Sequence, residues 1–144
     1  MNIVWRRPDG GISTTHLASN AGTPEEHAEE LKQWGNIPED WEVVATRYDL
    51  PMEHPEYFNA WEWHEQDGII HNMGKAAEVT KERLRRERAP LLTALDVEHF
   101  RADEAGDTVA KAEISARKQA LRDVTKRVHN RLTIEQMKAI KVGE

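Results

Sequence analysis

Seven histidines, three serines and a dense run of arginines are the side chains here with chemistry to offer. His64-Glu65 begins like the helix of a zinc protease, but no histidine follows four residues on, so H-E-x-x-H is absent. The next imidazole, His71, lies beyond a Gln66-Asp67-Gly68 turn signal. In a hairpin it would face His64, with Glu62 and His54 nearby, and a carboxylate with two imidazoles would suffice for a metal. Exposed cross-strand histidines are the commoner use of such a pattern, and no metal site is assigned. Ser13, Ser19 and Ser115 sit in no G-x-S-x-G elbow. No G-x-x-x-x-G-K-[ST] phosphate loop or G-x-G-x-x-G fingerprint occurs, and Gly10-Gly11 reads as a turn pair. Zero cysteines exclude disulfides, thiolate zinc sites and thiol catalysis. The reading is a non-enzyme with no catalytic residue and no cofactor.

The basic run Lys81-Glu82-Arg83-Leu84-Arg85-Arg86-Glu87-Arg88, with Lys126, Arg127, His129, Arg131, Lys138 and Lys141 behind it, could attract phosphates. Its acids are spaced for pairing within a helix, as in Glu78, Glu82 and Arg86. No aromatics interleave with it, and the whole chain is acidic, at net −6. A solvated face or a seat for an acidic partner is therefore expected rather than nucleic acid. Trp61 and Trp63 lie two apart, on one face of a strand. They would pack as sheet core, or anchor a protein partner, since exposed aromatics are usual interface anchors.

The elements that must carry these residues divide at Asn72. Residues 1–72 hold 4 Lys/Arg against 14 Asp/Glu (net −10), and residues 73–144 hold 16 against 12 (net +4). All five tryptophans and both tyrosines are in the first part, while Phe100 is the only aromatic of the second. In the first part, residues 2–6 and 11–17 flank Pro8-Asp9-Gly10-Gly11 and predict a hairpin. Thr23-Pro24-Glu25-Glu26 is a capping box opening a helix that ends at Gly35, with His27, Leu31 and Trp34 inward. Residues 41–48 read as a strand, and 58–65 with 69–72 as a second hairpin. A four- or five-stranded antiparallel sheet covered by one helix accounts for all of it.

The second part reads as helix throughout. One helix is expected from Met73 to Ala105, closed by Gly106 and kinked or divided by Pro90. Its apolar face is Ala77, Leu84, Leu91, Leu95 and Ala102, widened by Leu92 and Phe100. A second helix follows to about Val128, with the stripe Ala110, Ile114, Leu121, Val124 and Val128. Thr133 to Gln136 repeats the capping-box pattern before a short helix, Ile134–Ile140. The fold class is thus α+β: a small antiparallel sheet with one covering helix, then an α-helical hairpin and a short C-terminal helix. The predicted organisation is an aromatic-rich module at 1–72, the hairpin at 73–128 and a basic segment at 129–144.

The chain has 144 residues and 16.6 kDa. Its mean hydropathy of −0.78 is polar for its size and fits exposed helices. No apolar run approaches the roughly 18 residues of a membrane span, so no membrane partner is expected. MNIVWRRPDGG lacks an apolar h-region and a cleavage site, so no signal peptide is expected either.

Several stretches together resemble small phage and prophage proteins encoded among tail genes, often beside tail fibres. They are NIVWRRPDGGIST, DLP at 49–51, FNAWEW at 58–63, MGKAAEVTKERLRRERAPLLTALDVEHFRADEAGD, and ISARKQALRDVT at 114–125. The resemblance covers roughly residues 2–125, and the basic tail after Thr125 maps onto no feature of that group. It implies an assembly or structural role and brings no catalytic residues.

The expected function is that of a phage tail-associated protein acting by binding, a chaperone or accessory subunit of a tail fibre or receptor-binding protein. Its place would be the host cytoplasm during assembly, and the virion tail if it stays attached. The expected contact residues are Trp61 and Trp63 on the sheet and Leu84, Leu91, Leu95, Ile114 and Leu121 on the helices. The alternatives are a permanent homo-oligomeric helical collar of the tail, and a small phage regulator that binds nucleic acid or a host protein.

Overall fold

Pro8, Asp9 and Gly10 turn the chain between β1 (Asn2–Arg6) and β2 (Ile12–His16). Gly10 sits at φ +81, where a side chain would be strained, and Asp9 Oδ1 accepts from the Gly11 amide at 2.9 Å. The computed structural model describes residues 1–18, 22–47, 50 and 53–143. Ser19, Tyr48, and Asp49 and Pro51 of the D-L-P motif lie outside the described residues. The fold is α+β, in two units, Met1–Asn72 and Met73–Glu144.

In the first unit β1 is the middle strand of an antiparallel sheet ordered β2-β1-β3, where β3 is Glu42–Arg47. Side chains alternate along a strand, so β1 serves two cores. Ile3 and Trp5 pack with Ala28, Leu17, Leu31, Ile37 and Trp41 beside α1 (Pro24–Gln33). Val4 and Ile12 pack with Trp61, Phe58, Trp63 and Ile69 on the other side. The Trp5 indole N–H donates to Thr15 Oγ1 at 3.0 Å, which satisfies its one polar atom.

Three expectations for this unit are corrected. The strands do not form one sheet: β4 (Trp61–His64) and β5 (Gly68–His71) make a separate two-stranded ribbon, joined to the first sheet by the bridge Gly11–Glu62. That bridge lies beside the edge strand β2, and Trp61 of the ribbon packs against Val4 and Ile12. Its expected start is 3-10 helix instead, over Pro55–Ala60, which takes Phe58 and Asn59 out of the strand. Trp34 is not on the inner face of α1 and is 69% exposed. Ala28 and Leu31 form that face, and Ile37 and Trp41 beyond the helix complete it. The capping box of Thr23 and Glu26 is formed in both directions, and Gly35, at φ +71, ends the helix.

In the second unit α2 (Met73–Glu104) runs unbroken through Pro90, so the expected division does not occur. Gly106, at φ +68, ends it, and the Asp107 carboxylate caps α3 (Thr108–Asp123) by accepting from the Ala110 amide at 2.9 Å. The α3 helix stops at Asp123, short of the expected Val128, and continues as a 3-10 turn over Val124–Arg127. Thr133 and Gln136 form the capping box of α4 (Ile134–Ala139), which packs on α2. Leu95, Ala102, Ile114 and Leu121 are the core between α2 and α3, with Leu92, Ala110 and Val142 against it. No helix among the described residues is long and apolar enough to cross a membrane.

Candidate partner-binding surfaces

Register decides the histidine question in the ribbon. Pairing of β4 with β5 sets Trp61 opposite His71 and His64 opposite Gly68, so the two imidazoles do not face each other. The Trp61 indole N–H donates to His71 Nε2 at 2.9 Å. An indole nitrogen only donates, so His71 is held as the Nδ1–H tautomer. His64 lies 3.3 Å from Asp67 in the turn, and Glu62 accepts from the Asn72 side-chain amide at 3.1 Å. The described residues contain no group of three or more donors able to hold a metal ion. His71 is thus a packing partner of Trp61, a role that residue type and spacing did not announce.

Much of the basic run of α2 is engaged by the protein itself, although Arg85 and Arg86 are exposed. Lys81 pairs with Glu78 at 3.0 Å, Arg83 with Glu87 at 3.0 Å and Arg85 with Glu82 at 3.4 Å. The Arg83 Nη2 also donates to the carbonyls of Met137 and Ile140, at 3.2 and 2.8 Å. Arg88 donates to those of Leu121 and Arg122, at 3.4 and 2.7 Å. Carbonyls at helix ends lack intrahelical donors and carry partial negative charge, so a guanidinium there is well placed. Two arginines that could have met phosphate instead fasten α4 and the end of α3 to α2.

Acid–base pairs also tie α2 to α3. Lys118 meets Asp96 at 2.5 Å, Arg117 meets Glu98 at 3.5 Å, and Lys111 pairs with Asp103. The hydrogen bond from Lys118 holds the Asp96 carboxyl below its ordinary 3.8, and Lys111 does the same for Asp103.

Burial sorts the expected contact residues. Trp61 is 1% exposed, and Leu84, Leu95, Ile114 and Leu121 are buried as well. Trp61, Leu84 and Ile114 are thus packed within the fold, while Leu95 and Leu121, though largely buried, also line the groove beside Leu91. Trp63 is half-buried beside Trp61. Leu91 is 43% exposed and stands on an open groove of about 680 Å³. Leu95, Leu121 and Val124 line the groove with it, and Glu98, Arg117, Asp123 and Arg127 supply its charges. An apolar lining with a few charged groups at that volume suits a short apolar peptide segment or side-chain cluster. Comparison with known protein families, curated proteins and solved structures returns no match.

Proposed function

We propose that this protein works by binding protein, as an assembly chaperone or accessory subunit of a phage tail fibre or receptor-binding protein. The observation that carries the binding part is Leu91, an exposed leucine on an apolar groove of about 680 Å³ in the helical unit. A chaperone must cover apolar surface that an unassembled fibre leaves open. A groove lined by Leu91, Leu95, Leu121 and Val124 receives such a segment as an amphipathic helix is received in a hydrophobic groove. The mixed charges of Glu98, Arg117 and Asp123 favour a partner segment flanked by both signs over a polyanion. The tail-gene resemblance of residues 2–125 supplies the kind of partner.

The test is co-expression with a tail-fibre or receptor-binding protein encoded beside it, read by size-exclusion chromatography with light scattering. The fibre alone and the fibre with a Leu91→Glu chain run alongside. Support is co-elution at fixed stoichiometry, with fibre solubility lost when Leu91 is replaced by the charged residue. Independent elution with the fibre soluble by itself would count against the reading.

A further inference from the structure

The α2 helix carries a second stripe on the side turned away from α3, apolar at Pro90, Val97 and Phe100 and charged at its two ends. Arg86, Pro90, Thr93, Val97, Phe100 and Glu104 follow one another at alternating spacings of four and three, the period of a helix–helix seam. All six are exposed, Val97 at 48% and Phe100 at 62%. Leu95 and Ala102, which pack toward α3, lie about half a turn round from Val97 and Phe100. Thr93 Oγ1 donates back to the Ala89 carbonyl at 3.1 Å, which ties down its hydroxyl and leaves its methyl as the outward group. Small Ala89 flanks the stripe, so another helix can approach closely there.

The charges of this face say what covers it. Most basic residues of α2 have an acid or a carbonyl partner, but Arg86 and Arg101 have none among the described residues, nor does Glu104. Place a second α2 antiparallel on the first, with a two-fold axis at the level of Leu95. Val97 then meets Thr93 of the other copy, Phe100 meets Pro90, and Arg86 meets Glu104. On one flank Glu87, held by Arg83, comes opposite Arg101. Each unpartnered charge finds the opposite sign, twice over by symmetry, as an isologous interface requires. The two Asp96 carboxylates approach near the axis, and the Lys118 bound to each offsets their repulsion. A parallel pairing would set Arg86 on Arg86 and Glu104 on Glu104, so the charges select the antiparallel one.

We infer that the outer face of α2 is a homodimer interface, occupied by the same face of a second copy in antiparallel register. It spans about 27 Å of helix. One helix face is smaller than a standard interface, so the dimer is weak and forms only at high protein concentration. The inference does not depend on the proposed fibre partner, because the groove at Leu91 is on another side of α2.

The experiment is sedimentation equilibrium of the full chain, with circular dichroism verifying the fold of each variant. Arg86→Glu alone sets a new carboxylate against Glu104 of the other copy. Glu104→Arg alone sets a second guanidinium against Arg86. Each variant therefore weakens self-association by about tenfold. Mixed one to one, the two variants form a heterodimer in which one pairing is between two introduced charges of opposite sign and the other is the original one, and association returns to the wild-type level. Phe100→Asp abolishes it in every combination. A wild-type chain that stays monomeric at millimolar concentration would overturn the inference. So would a mixture of the two charge variants that associates no better than either alone.

Discussion

Arg88 Nη1 donates to the main-chain carbonyl of Arg122 at 2.7 Å, joining the middle of α2 to the end of α3 across 34 residues of sequence. It reaches the Leu121 carbonyl too, at 3.4 Å, so one guanidinium serves two carbonyls at the end of α3. Arg83 does the same for α4 through Met137 and Ile140. The helical unit is thus closed at two points by side chains whose composition alone reads as a basic patch.

Replacing Arg88 with alanine should lower the stability of the helical unit by about 1 kcal/mol, because the carbonyls lose a charged donor at a helix C-terminus. Arg88→Lys should restore only part, since the shorter side chain must bring its ammonium to the two carbonyls that Arg88 Nη1 reaches. Urea unfolding followed by circular dichroism measures both. Equal stability of wild type and Arg88→Ala would show that solvent serves those carbonyls as well as the arginine does.

The His71 tautomer is open to direct observation. With Nε2 accepting from the Trp61 indole, a ¹⁵N-resolved spectrum at neutral pH should show the proton on Nδ1 and a slowly exchanging Trp61 indole signal. His71→Ala removes the acceptor from a buried donor and should cost about 1–3 kcal/mol. A proton found on Nε2 would contradict the bond.

Acid should loosen the joint between α2 and α3. Lys118 and Lys111 hold the Asp96 and Asp103 carboxyls below their ordinary 3.8 in the folded chain. A depressed carboxyl contributes stability that is complete above its unfolded value and disappears as pH falls through the folded one. The denaturation midpoint of the wild type should therefore drop as pH falls from about 5 through the ordinary carboxylate value and below it. A double variant, Asp96→Asn with Asp103→Asn, should start lower and fall less steeply over that window. Parallel curves would mean that these pairs do not matter to the folded state.

Much of the secondary structure is legible in the sequence because its signals are local. Thr23 with Glu26, Thr133 with Gln136, Gly35, Gly106 and the Pro8–Gly10 turn each act within a few residues, and each element end stands close to where its chemistry puts it. What escapes is non-local. The pairing of β1 with β3 spans about forty residues, and nothing in the residues of β4 says that its ribbon will touch the first sheet through the single bridge Gly11–Glu62 instead of continuing it as full strands. Trp34 has the right spacing for the inner face of α1, but Ile37 and Trp41 arrive later in the chain and fill that place. Of the contact residues inferred from apolar spacing, Leu91 is exposed on the groove while Leu84 and Leu95 are buried. One helical stripe cannot tell which of its leucines meets a neighbour within the fold. The stripe through Val97 and Phe100 is just as regular, and only exposure separates it from the core-facing one.

Trp34 makes the correction measurable. Alanine at this exposed C-cap should change stability by no more than about 0.5 kcal/mol, whereas Trp61→Ala, at the centre of a core, should cost about 3–5 kcal/mol. Iodide should quench the Trp34 emission and spare that of Trp61, a difference read from single-tryptophan deletions. Strong destabilisation by Trp34→Ala would return it to the inner face of α1.

Leu91 and Leu95 stand four residues apart on α2, and the contrast between them separates binding from folding. Leu95 is buried against Ile114 and Leu121, so Leu95→Ala should cost about 2–5 kcal/mol and reduce any activity only by depleting the folded protein. Leu91 has much of its surface in water, so Leu91→Ala should leave the unfolding midpoint nearly unchanged. If the groove receives a partner segment, the same substitution should weaken the complex by about tenfold, since the partner then covers a site stripped of its most exposed leucine. Unfolding curves and a binding titration on the same two variants give the four values. Loss of binding with Leu91→Ala at full stability supports the groove as the contact. Full binding with Leu91→Ala and Leu91→Glu alike would move the contact to another surface of the protein.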